Sequence, residues 1–281
     1  MNPDTPRRHG AEASLLGQTV AYRDTYAPEL LFPIERQLKR DELGIAAGAL
    51  PFVGEDLWNA YELSWLDARG KPVVALGEFR VPAASPRLIE SKSLKLYLNA
   101  FNQQRMVSVD EVQSRIAADL SAAAGAEVGV VLMPLATRPQ RRSAYPQGDC
   151  LDALDIAIDT YQPAPELLHA TGAEVEEMLY SHLLKSNCLV TGQPDWGMLV
   201  VRYRGPAIDR EGLLRYVVSF RAHNEFHEQC VERVFCDIMA RCRPHELAVW
   251  ARYTRRGGLD INPFRASHAG LRPDEAMEVR Q

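Results

Sequence analysis

Hydrophobic and polar residues alternate along two neighbouring stretches in the first half of the chain. Tyr61, Leu63 and Trp65 alternate with small or polar residues, and turn-forming residues at 67–71 separate them from an apolar stretch at 73–79. Alternation of this kind places hydrophobic side chains on one face of an extended strand. Two such stretches joined by a short polar turn predict a β-hairpin.

Two helices and a further strand are predicted to follow this hairpin. The apolar residues of 94–101 recur at the spacing of one helical face, with polar residues on the other side. A second helix is predicted over 109–124, where Gly125 ends it, and a strand over 128–135 closes the unit.

The second half repeats this order of elements without visibly repeating the sequence. Residues 196–204 alternate as a strand, and Asp209 is placed to cap a helix that runs to about residue 223. Another helix carries the apolar face of 231–238, and 247–253 alternate as a closing strand. The chain is thus expected to contain two copies of a hairpin, two helices and a closing strand.

The stretch 175–184 is ambiguous. Its hydrophobic spacing matches a helical face, whereas the strand at 196–204 would lack a hairpin partner without a strand here. We expect a strand. Residues up to about 53 are interrupted by prolines and are expected to be irregular with one short helix, and the turn-rich 139–148 links the two halves. The class is α+β with antiparallel sheets.

Composition narrows the function classes. The chain has 281 residues, enough for about two domains, and its 46% hydrophobic and 25% charged residues are typical of a folded globular protein. A net charge of −5 argues against direct nucleic-acid binding. No apolar stretch suits a membrane helix or a signal peptide, so we expect a cytoplasmic protein. The odd count of 5 cysteines favours reduced thiols.

One cysteine is a candidate nucleophile. Cys188 precedes the turn-rich 191–197, and Lys185 is near enough in sequence to favour a thiolate. Asp195 could return beside the sulfur across the turn, where Trp196 could exclude water and keep the carboxyl protonated. The alternative is a packed, inert cysteine and an aspartate that only serves a turn.

Two histidines raise the question of a metal. His223 and His227 are four residues apart, so in one helix they could clamp an ion. Solvated histidines at a helix junction, or a substrate site, are the alternatives. Cys230, Cys236 and Cys242 look like further ligands, but six residues of helix rotate by about 240 degrees beyond a full turn, so their side chains point in three directions.

Two segments could hold an anionic group such as a phosphate. Residues 90–95 open a predicted helix, where free backbone donors and two lysines would suit an anion. Residues 255–258 follow the last predicted strand and combine two arginines with two glycines. Either segment could equally be a solvated surface. The glycine patterns of a Rossmann fold and of a P-loop are both absent from the sequence.

Five motifs occur in order between residues 22 and 264: ESKSLKLY at 90–97, LKSNC at 184–188, PDWG at 194–197, HNEFHE at 223–228 and RRGGLDINP at 255–263. Together they resemble one enzyme family, the NADPH-dependent 7-cyano-7-deazaguanine reductases, or QueF nitrile reductases, in their long two-domain form. The resemblance implies two tandem tunnelling-fold (T-fold) domains, 1–145 with an N-terminal extension and 146–281, each an antiparallel sheet with two helices packed on one face. It also implies a homodimer and a strand at 175–184.

The same resemblance implies the chemistry. Cys188 would attack the nitrile carbon to give a covalent thioimide, Asp195 would protonate the nitrogen, and two NADPH would supply two hydrides. Implied residues for binding the substrate 7-cyano-7-deazaguanine are Ile89, Glu90, Ser91, His227 and Glu228. Those for NADPH are Ser91, Lys92, Arg256 and Gly257, and no metal is implied.

Two rival functions remain open from the residues. One is a zinc-dependent purine hydrolase similar to GTP cyclohydrolase, motivated by His223 and His227. The other is a purine-binding module in which Cys188 is merely packed.

Overall fold

Strands from both halves of the chain form one continuous sheet in the computed structural model, which describes residues 23–135, 143–274 and 276–281. The first half contains β1 (Pro33–Glu35), α1 (Gln37–Arg40), β2 (Val53–Leu66), β3 (Pro72–Pro82), β4 (Arg87–Ile89), α2 (Ser91–Asn99), α3 (Val109–Ala124) and β5 (Gly129–Pro134). The second contains β6 (Asp149–Cys150), β7 (Ala170–Asn187), β8 (Pro194–Ile208), α4 (Arg210–Ser219), α5 (His227–Cys242), β9 (Glu246–Tyr253) and β10 (Leu259–Ala266).

The sheet has eight strands in the order β5-β3-β2-β10-β9-β8-β7-β6, and β1 and β4 form a separate pair. The neighbouring strands are antiparallel except for the two-residue β6, which pairs with β7 in parallel. The mixed α+β class is therefore confirmed. Antiparallel pairing was predicted in both halves, whereas the pairing of β10 with both β2 and β9, which joins the halves into one sheet, was not predicted.

Both predicted hairpins are confirmed as β2 with β3 and β7 with β8. The helical spacing of 175–184 is misleading for a physical reason. Leu179 and Leu184 pack into the core under the helices, whereas Met178 and Tyr180 pack against a second cluster on the opposite face. Because both faces of β7 meet apolar neighbours, its sequence does not alternate as a half-exposed strand would.

The helices cover the sheet in two groups. Apolar residues of α2 and α3 pack on β2, β3 and β5, and those of α4 and α5 pack on β7, β8 and β9. The prediction for α3 is confirmed, including its end at Gly125, which has a φ of +72°. Asp209 caps α4 as predicted, but α4 ends at Ser219, and a short 3-10 turn follows it.

The predicted N-terminal and linker regions are described in part. Residues 1–22 and 136–142, which include part of the expected 139–148 linker, lie outside the described residues. The expectation of one short helix before residue 53 is confirmed by α1, and the pairing of β1 with β4 was not predicted. In the described ranges, no helix is long and apolar enough to cross a membrane.

A buried group of five charged side chains ties these elements together. Arg36 and Arg265 contact the Asp56 carboxylate at 2.6 and 2.8 Å. Arg40 and Arg265 contact Oε1 of Glu232 at 2.7 and 2.9 Å. The group links the N-terminal segment, β2, β10 and α5, so it fixes α5 relative to the strands beside it.

Candidate active site

A tight loop brings the two predicted reactive residues to the same end of the β7–β8 hairpin. The Cys188 amide donates to the Gln193 carbonyl at 2.8 Å, and the Gly192 amide donates to the Cys188 carbonyl at 3.0 Å. In the hairpin register Asp195 lies opposite Ser186. Cys188 and Asp195 are both buried, with 5% and 6% of their surfaces exposed. The sequence prediction that Asp195 returns toward the cysteine is consistent with this geometry.

The segment before α5 is held against the same strand end. The Asn187 amide donates to the His223 carbonyl at 2.8 Å, and the Glu225 amide donates to the Asn187 carbonyl at 3.1 Å. This pairing leads the chain directly into α5, which begins at His227. His227 and Glu228 are therefore placed in the first turn of a helix that starts beside Cys188.

These segments surround a narrow pocket together with residues of the first half. Its lining combines the reactive residues with apolar walls and consists of Trp58, Leu88, Ile89, Ser91, Cys188, Asp195, Glu225, Phe226, His227, Glu228, Arg256 and Ile261. The pocket thus lies where β10 joins the two halves. Seven of the site residues predicted from the sequence line it, whereas Glu90, Lys92 and Gly257 do not.

The apolar walls of the pocket were not predicted as site residues. Trp58 lies in β2, and the order of strands that brings β2 beside β10 is not visible in the sequence. Ile261 lies in β10 directly opposite Trp58 in the register. The pairing of β2 with β10 therefore builds this wall, and no local sequence signal identifies it.

Asp195 has two cationic or potentially cationic neighbours. Nη1 of Arg256 lies 3.2 Å from Oδ1 of Asp195, and Nε2 of His227 lies 3.6 Å from the same oxygen. The His227 ring packs edge-on against Tyr253, with ring centroids 4.0 Å apart. The carboxyl group of Asp195 therefore has two partners, and the Arg256 side chain is more than one-third exposed at the pocket mouth.

Two neighbouring glutamates have opposite pKa shifts. Burial, and then the nearby Asp56 carboxylate, raise the pKa of Glu228 to about 7, against smaller opposing effects of His227 and Arg36. Burial also acts to raise the pKa of Glu225, but its contacts with His223 and Arg233 overcome it and hold the pKa at about 2. Glu225 is therefore a structural anion, whereas Glu228 can change charge near neutral pH.

Glu90 caps α2. Its Oε1 accepts from the Lys92 amide at 2.7 Å and its Oε2 from the Ser93 amide at 2.8 Å. The expectation of free backbone donors at this helix start is therefore wrong for these two amides, because the Glu90 side chain occupies them. Glu90 is fully buried, and burial raises its pKa. Its neighbours Ile89 and Ser91 line the pocket instead.

The glycine segment after β9 has a shape that suits a phosphate group. Gly257 has a φ of +63°, and a Cβ there would lie 3.1 Å from Nζ of Lys95. Arg256 lies next to it at the pocket mouth, and Lys95 also contacts Glu62 at 3.4 Å. Two cationic side chains beside a backbone without a side chain have the chemistry that binds a phosphate group.

Two supporting residues do not act as the sequence suggested. Nζ of Lys185 donates to Oδ1 of Asn187 and to the Arg221 carbonyl at 2.5 and 2.7 Å, so it orders the strand end. Trp196 is 40% exposed, and Arg221 lies over its ring at 5.7 Å. Because successive strand residues point to opposite faces, Trp196 lies away from the face of Asp195. The apolar wall of the pocket is Trp58 instead.

The metal clamp that the spacing of His223 and His227 left open as one alternative is not supported by the structure. His223 ends the 3-10 turn and contacts Glu225 at 3.0 Å, whereas His227 is the first residue of α5. The two are therefore not on one helix. The prediction that the three α5 cysteines do not converge stays consistent with their packing into the core, where burial raises the pKa of each thiol.

The sequence matches two family descriptions over most of its length. "Nitrile reductase, 7-cyano-7-deazaguanine-reductase N-term" matches residues 22–132, and "QueF-like protein" matches residues 194–270. Together they span the first hairpin with its two helices and the second-half pocket residues from Asp195 onward, whereas Cys188 lies between the two matched ranges.

Curated relatives match along the whole chain. A protein of Azoarcus sp. (strain BH72) is 73% identical over 281 residues, covering 100% of both chains, and one of Aromatoleum aromaticum is 67% identical over 283 residues with the same coverage. Both are named NADPH-dependent 7-cyano-7-deazaguanine reductase. A solved structure, the archaeosine synthase QueF-Like in the apo form, is 19% identical and covers 37% of this chain and 99% of its own, with a TM-score of 0.30, too low to bear on the fold.

These matches place the chain in a class of nitrile-reducing enzymes, and its pocket contains a buried cysteine, an aspartate and a glutamate. The chain belongs to the family of NADPH-dependent 7-cyano-7-deazaguanine reductases.

Proposed function

We propose that this protein reduces the nitrile of 7-cyano-7-deazaguanine to the primary amine of 7-aminomethyl-7-deazaguanine, a step in the biosynthesis of the tRNA nucleoside queuosine. The observation that carries the proposal is that full-length relatives of 73% and 67% identity bear the name of this activity. The pocket supports it, because Cys188, Asp195 and Glu228 line it together. The reaction consumes two NADPH and two protons for each nitrile.

The first step proposed is attack by Cys188. Its sulfur, as the thiolate, forms a bond to the nitrile carbon, while one carbon–nitrogen π bond breaks and the nitrogen takes up a proton. The product is a thioimide, whose C=N bond accepts a hydride more readily than a nitrile does. A buried position at a strand end, opposite Gln193, holds the sulfur in place for this attack.

Asp195 is proposed as the donor of that proton. It lines the same pocket as Cys188 and is nearly buried, so the proton can pass to nitrogen without bulk water. His227 lies 3.6 Å from its carboxylate and is the second proton-carrying group at the reacting end. After the first hydride, carbon–sulfur cleavage releases Cys188 and leaves an imine, which the second hydride reduces to the amine.

Glu228 is proposed to recognise the base. A deazaguanine ring presents neighbouring N–H donors on its guanine-like edge, and one carboxylate can accept both. Glu228 lies in the first turn of α5, next to His227, and is buried in the pocket wall. Ile89 and Ser91 form the opposite wall, and Trp58 and Phe226 supply flat apolar surfaces against which a ring can pack. The expected contact of Glu90 with the base stays a prediction.

NADPH supplies hydride when bound. Arg256 and Gly257 are proposed to hold its phosphates, with Lys95 beside them, and Ser91 and Lys92 to contact it from the start of α2. The cofactor residues thus flank the pocket that holds Cys188.

The finer architecture is proposed with this function. We propose two tunnelling-fold domains, 1–145 and 146–281, supported by a hairpin with two packed helices in each half. A homodimer, a cytoplasmic location and the absence of direct nucleic-acid binding remain predictions from the sequence.

The test measures NADPH consumption, by its absorbance, on addition of 7-cyano-7-deazaguanine. We expect two NADPH consumed for each nitrile, no consumption by Cys188→Ala, and no effect of a chelator. Cys236→Ser is the matched control, because Cys236 packs against the core on α5 and does not line the pocket. Intact-protein mass spectrometry without NADPH should show an adduct with the nitrile in the wild type and none in Cys188→Ala. A folded wild type that consumes no NADPH would overturn the proposal.

A further inference from the structure

Three side chains with metal-binding atoms converge at the β6 edge of the sheet, away from the active-site pocket. Among the residues that the structure describes, one ligand atom each from Cys150, Asp152 and His182 lie within 4.8 Å of one another. None of the three lines the pocket that holds Cys188. A thiol, an imidazole and a carboxylate are the three side-chain types that bind zinc in proteins.

The sheet register explains why these residues meet. Cys150 of β6 is paired with Tyr180 of β7, and in a pleated strand Tyr180 and His182 share a face. The Leu151 amide donates to the Tyr180 carbonyl at 2.9 Å and keeps the chain beside β7. Asp152 follows at once, so three ligand types come from two short, paired segments.

The carboxylate of Asp152 is already fixed in position. Its Oδ1 accepts from Oγ of Ser181 at 2.6 Å, and its Oδ2 accepts from the backbone amide of His182 at 3.1 Å. A ligand held by such bonds loses little further freedom when a metal binds.

The second, independent observation concerns His182. Its Nδ1 lies 3.0 Å from Oε1 of Glu278, whose surface is 1% exposed. A neutral imidazole that donates from Nδ1 to a carboxylate presents the lone pair of Nε2 to a metal. Histidine ligands of metals typically have such a carboxylate on their other nitrogen, which fixes the ring and its tautomer. Nε of Arg280 also donates to Oε1 of Glu278 at 2.9 Å and keeps that carboxylate in place.

We propose that Cys150, Asp152 and Nε2 of His182 bind one zinc ion, with water as the fourth ligand and Glu278 as the carboxylate that positions His182. Cys150 is exposed, so a water molecule can reach the fourth position, and rotation of this side chain can bring the ligand atoms to zinc-binding distances of about 2.0–2.3 Å. Binding releases the thiol proton of Cys150. The ion connects the segment that begins at β6 with β7, and the C-terminal segment contributes through the contact of Glu278 with His182.

The experiment uses the full-length protein, freed of metal with a chelator and titrated with Co²⁺ as a spectroscopic probe for zinc. We expect one equivalent to bind, with a thiolate-to-cobalt charge-transfer band that Zn²⁺ abolishes by displacement. Cys150→Ser should lose the band. His182→Gln and Glu278→Gln should weaken binding about 10-fold to 100-fold.

Matched variants identify the thiol. Cys188→Ala and Cys236→Ser should keep the band, because neither cysteine belongs to the cluster. Zinc should raise the thermal unfolding midpoint of the wild type and leave that of Cys150→Ser unchanged. No band with the wild type, or a band that persists in Cys150→Ser, would overturn the proposal. Since Cys150 is exposed, its replacement by serine leaves the core intact, and circular dichroism checks that each variant is folded.

Discussion

The guanidinium of Arg256 contacts the carboxylate of Asp195, with Nη1 3.2 Å from Oδ1. The two residues have different proposed partners, because Arg256 is expected to hold a cofactor phosphate and Asp195 to give a proton to the substrate nitrogen. An ion pair with arginine favours the charged carboxylate, whereas a proton donor has to be neutral. The proposed function therefore requires Arg256 to move from Asp195 toward the phosphate when the cofactor binds.

Asp195→Asn separates these roles. We expect turnover to fall at least about 100-fold, because the acid is lost. NADPH affinity should stay the same or increase, because Arg256 no longer has a carboxylate to leave. Steady-state kinetics and a fluorescence titration with NADPH measure the two effects.

Arg256→Ala is the complementary variant. Loss of a charge-assisted hydrogen bond to a phosphate is expected to weaken NADPH binding about 10-fold or more. If Asp195→Asn weakened NADPH binding as strongly as Arg256→Ala does, the two side chains would act as one unit in holding the cofactor, and the proposed exchange of partners would be wrong.

Binding of the base should depend on the charge of Glu228. Burial and Asp56 raise its pKa to about 7, while His227 and Arg36 act in the opposite direction. The N–H donors of the base favour the carboxylate form, so protonation competes with binding. The dissociation constant should therefore rise as the pH falls below 7, by about tenfold for each unit at the limit. Calorimetric titration of Cys188→Ala with the nitrile, on both sides of pH 7, measures this without turnover.

The control for this titration is the double variant Cys188→Ala with Glu228→Gln. It should bind the base more weakly, and with affinity that no longer changes around pH 7. An unchanged pH dependence in the double variant would assign the titration to another group of the pocket, His227 or Asp195.

Glu90 allows a test between two roles. In the structure its carboxylate caps α2, whereas the family resemblance implies contact with the base. Glu90→Ala should destabilise the protein by about 1 kcal/mol, as loss of a helix cap does. Glu90→Asp can still accept from the helix amides, so a residue that only caps α2 would bind the base nearly as well after this change as in the wild type. A loss of base affinity in Glu90→Asp of the size seen with Glu228→Gln would support the predicted contact of Glu90 with the base. Denaturant unfolding and calorimetry provide the two measurements.

Local patterns predicted α3, α4 and the first hairpin, because their signals lie within the elements themselves, whereas β4 and β10 were not predicted. Capping by Asp209 and the end of α3 at Gly125 are examples. The pairing of β10 with β2 is a contact between residues about 200 positions apart, and no local signal encodes it. For the same reason, Trp58 and Ile261 could not be predicted as pocket walls.

The active site was predicted only in part, because local motifs identify single residues but not how the backbone arranges them. Motif resemblance named Cys188 and Asp195, and the hairpin register brings both to one strand end. Spacing in the sequence gave a wrong expectation where one element ends and another begins. His223 and His227 have helical spacing, but the chain leaves a 3-10 turn at His223 and starts α5 at His227. Lys185 is close to Cys188 in sequence, yet its ammonium group is taken by Asn187 and Arg221.

The buried charges around Glu232 make the last prediction, which concerns stability. Its carboxylate contacts Arg40 and Arg265, and Nη1 of Arg36 lies 3.9 Å from its Oε1. All four side chains are buried. Glu232→Ala leaves these arginines buried beside Asp56 alone, and removing one partner of a buried ion pair costs about 3–5 kcal/mol. We expect the urea midpoint to fall accordingly. Glu176→Ala is the control, because its pair with Arg202 is more than one-third exposed on both sides and should contribute nothing measurable. Equal midpoints for the two variants would show that the buried group does not hold α5 to the sheet.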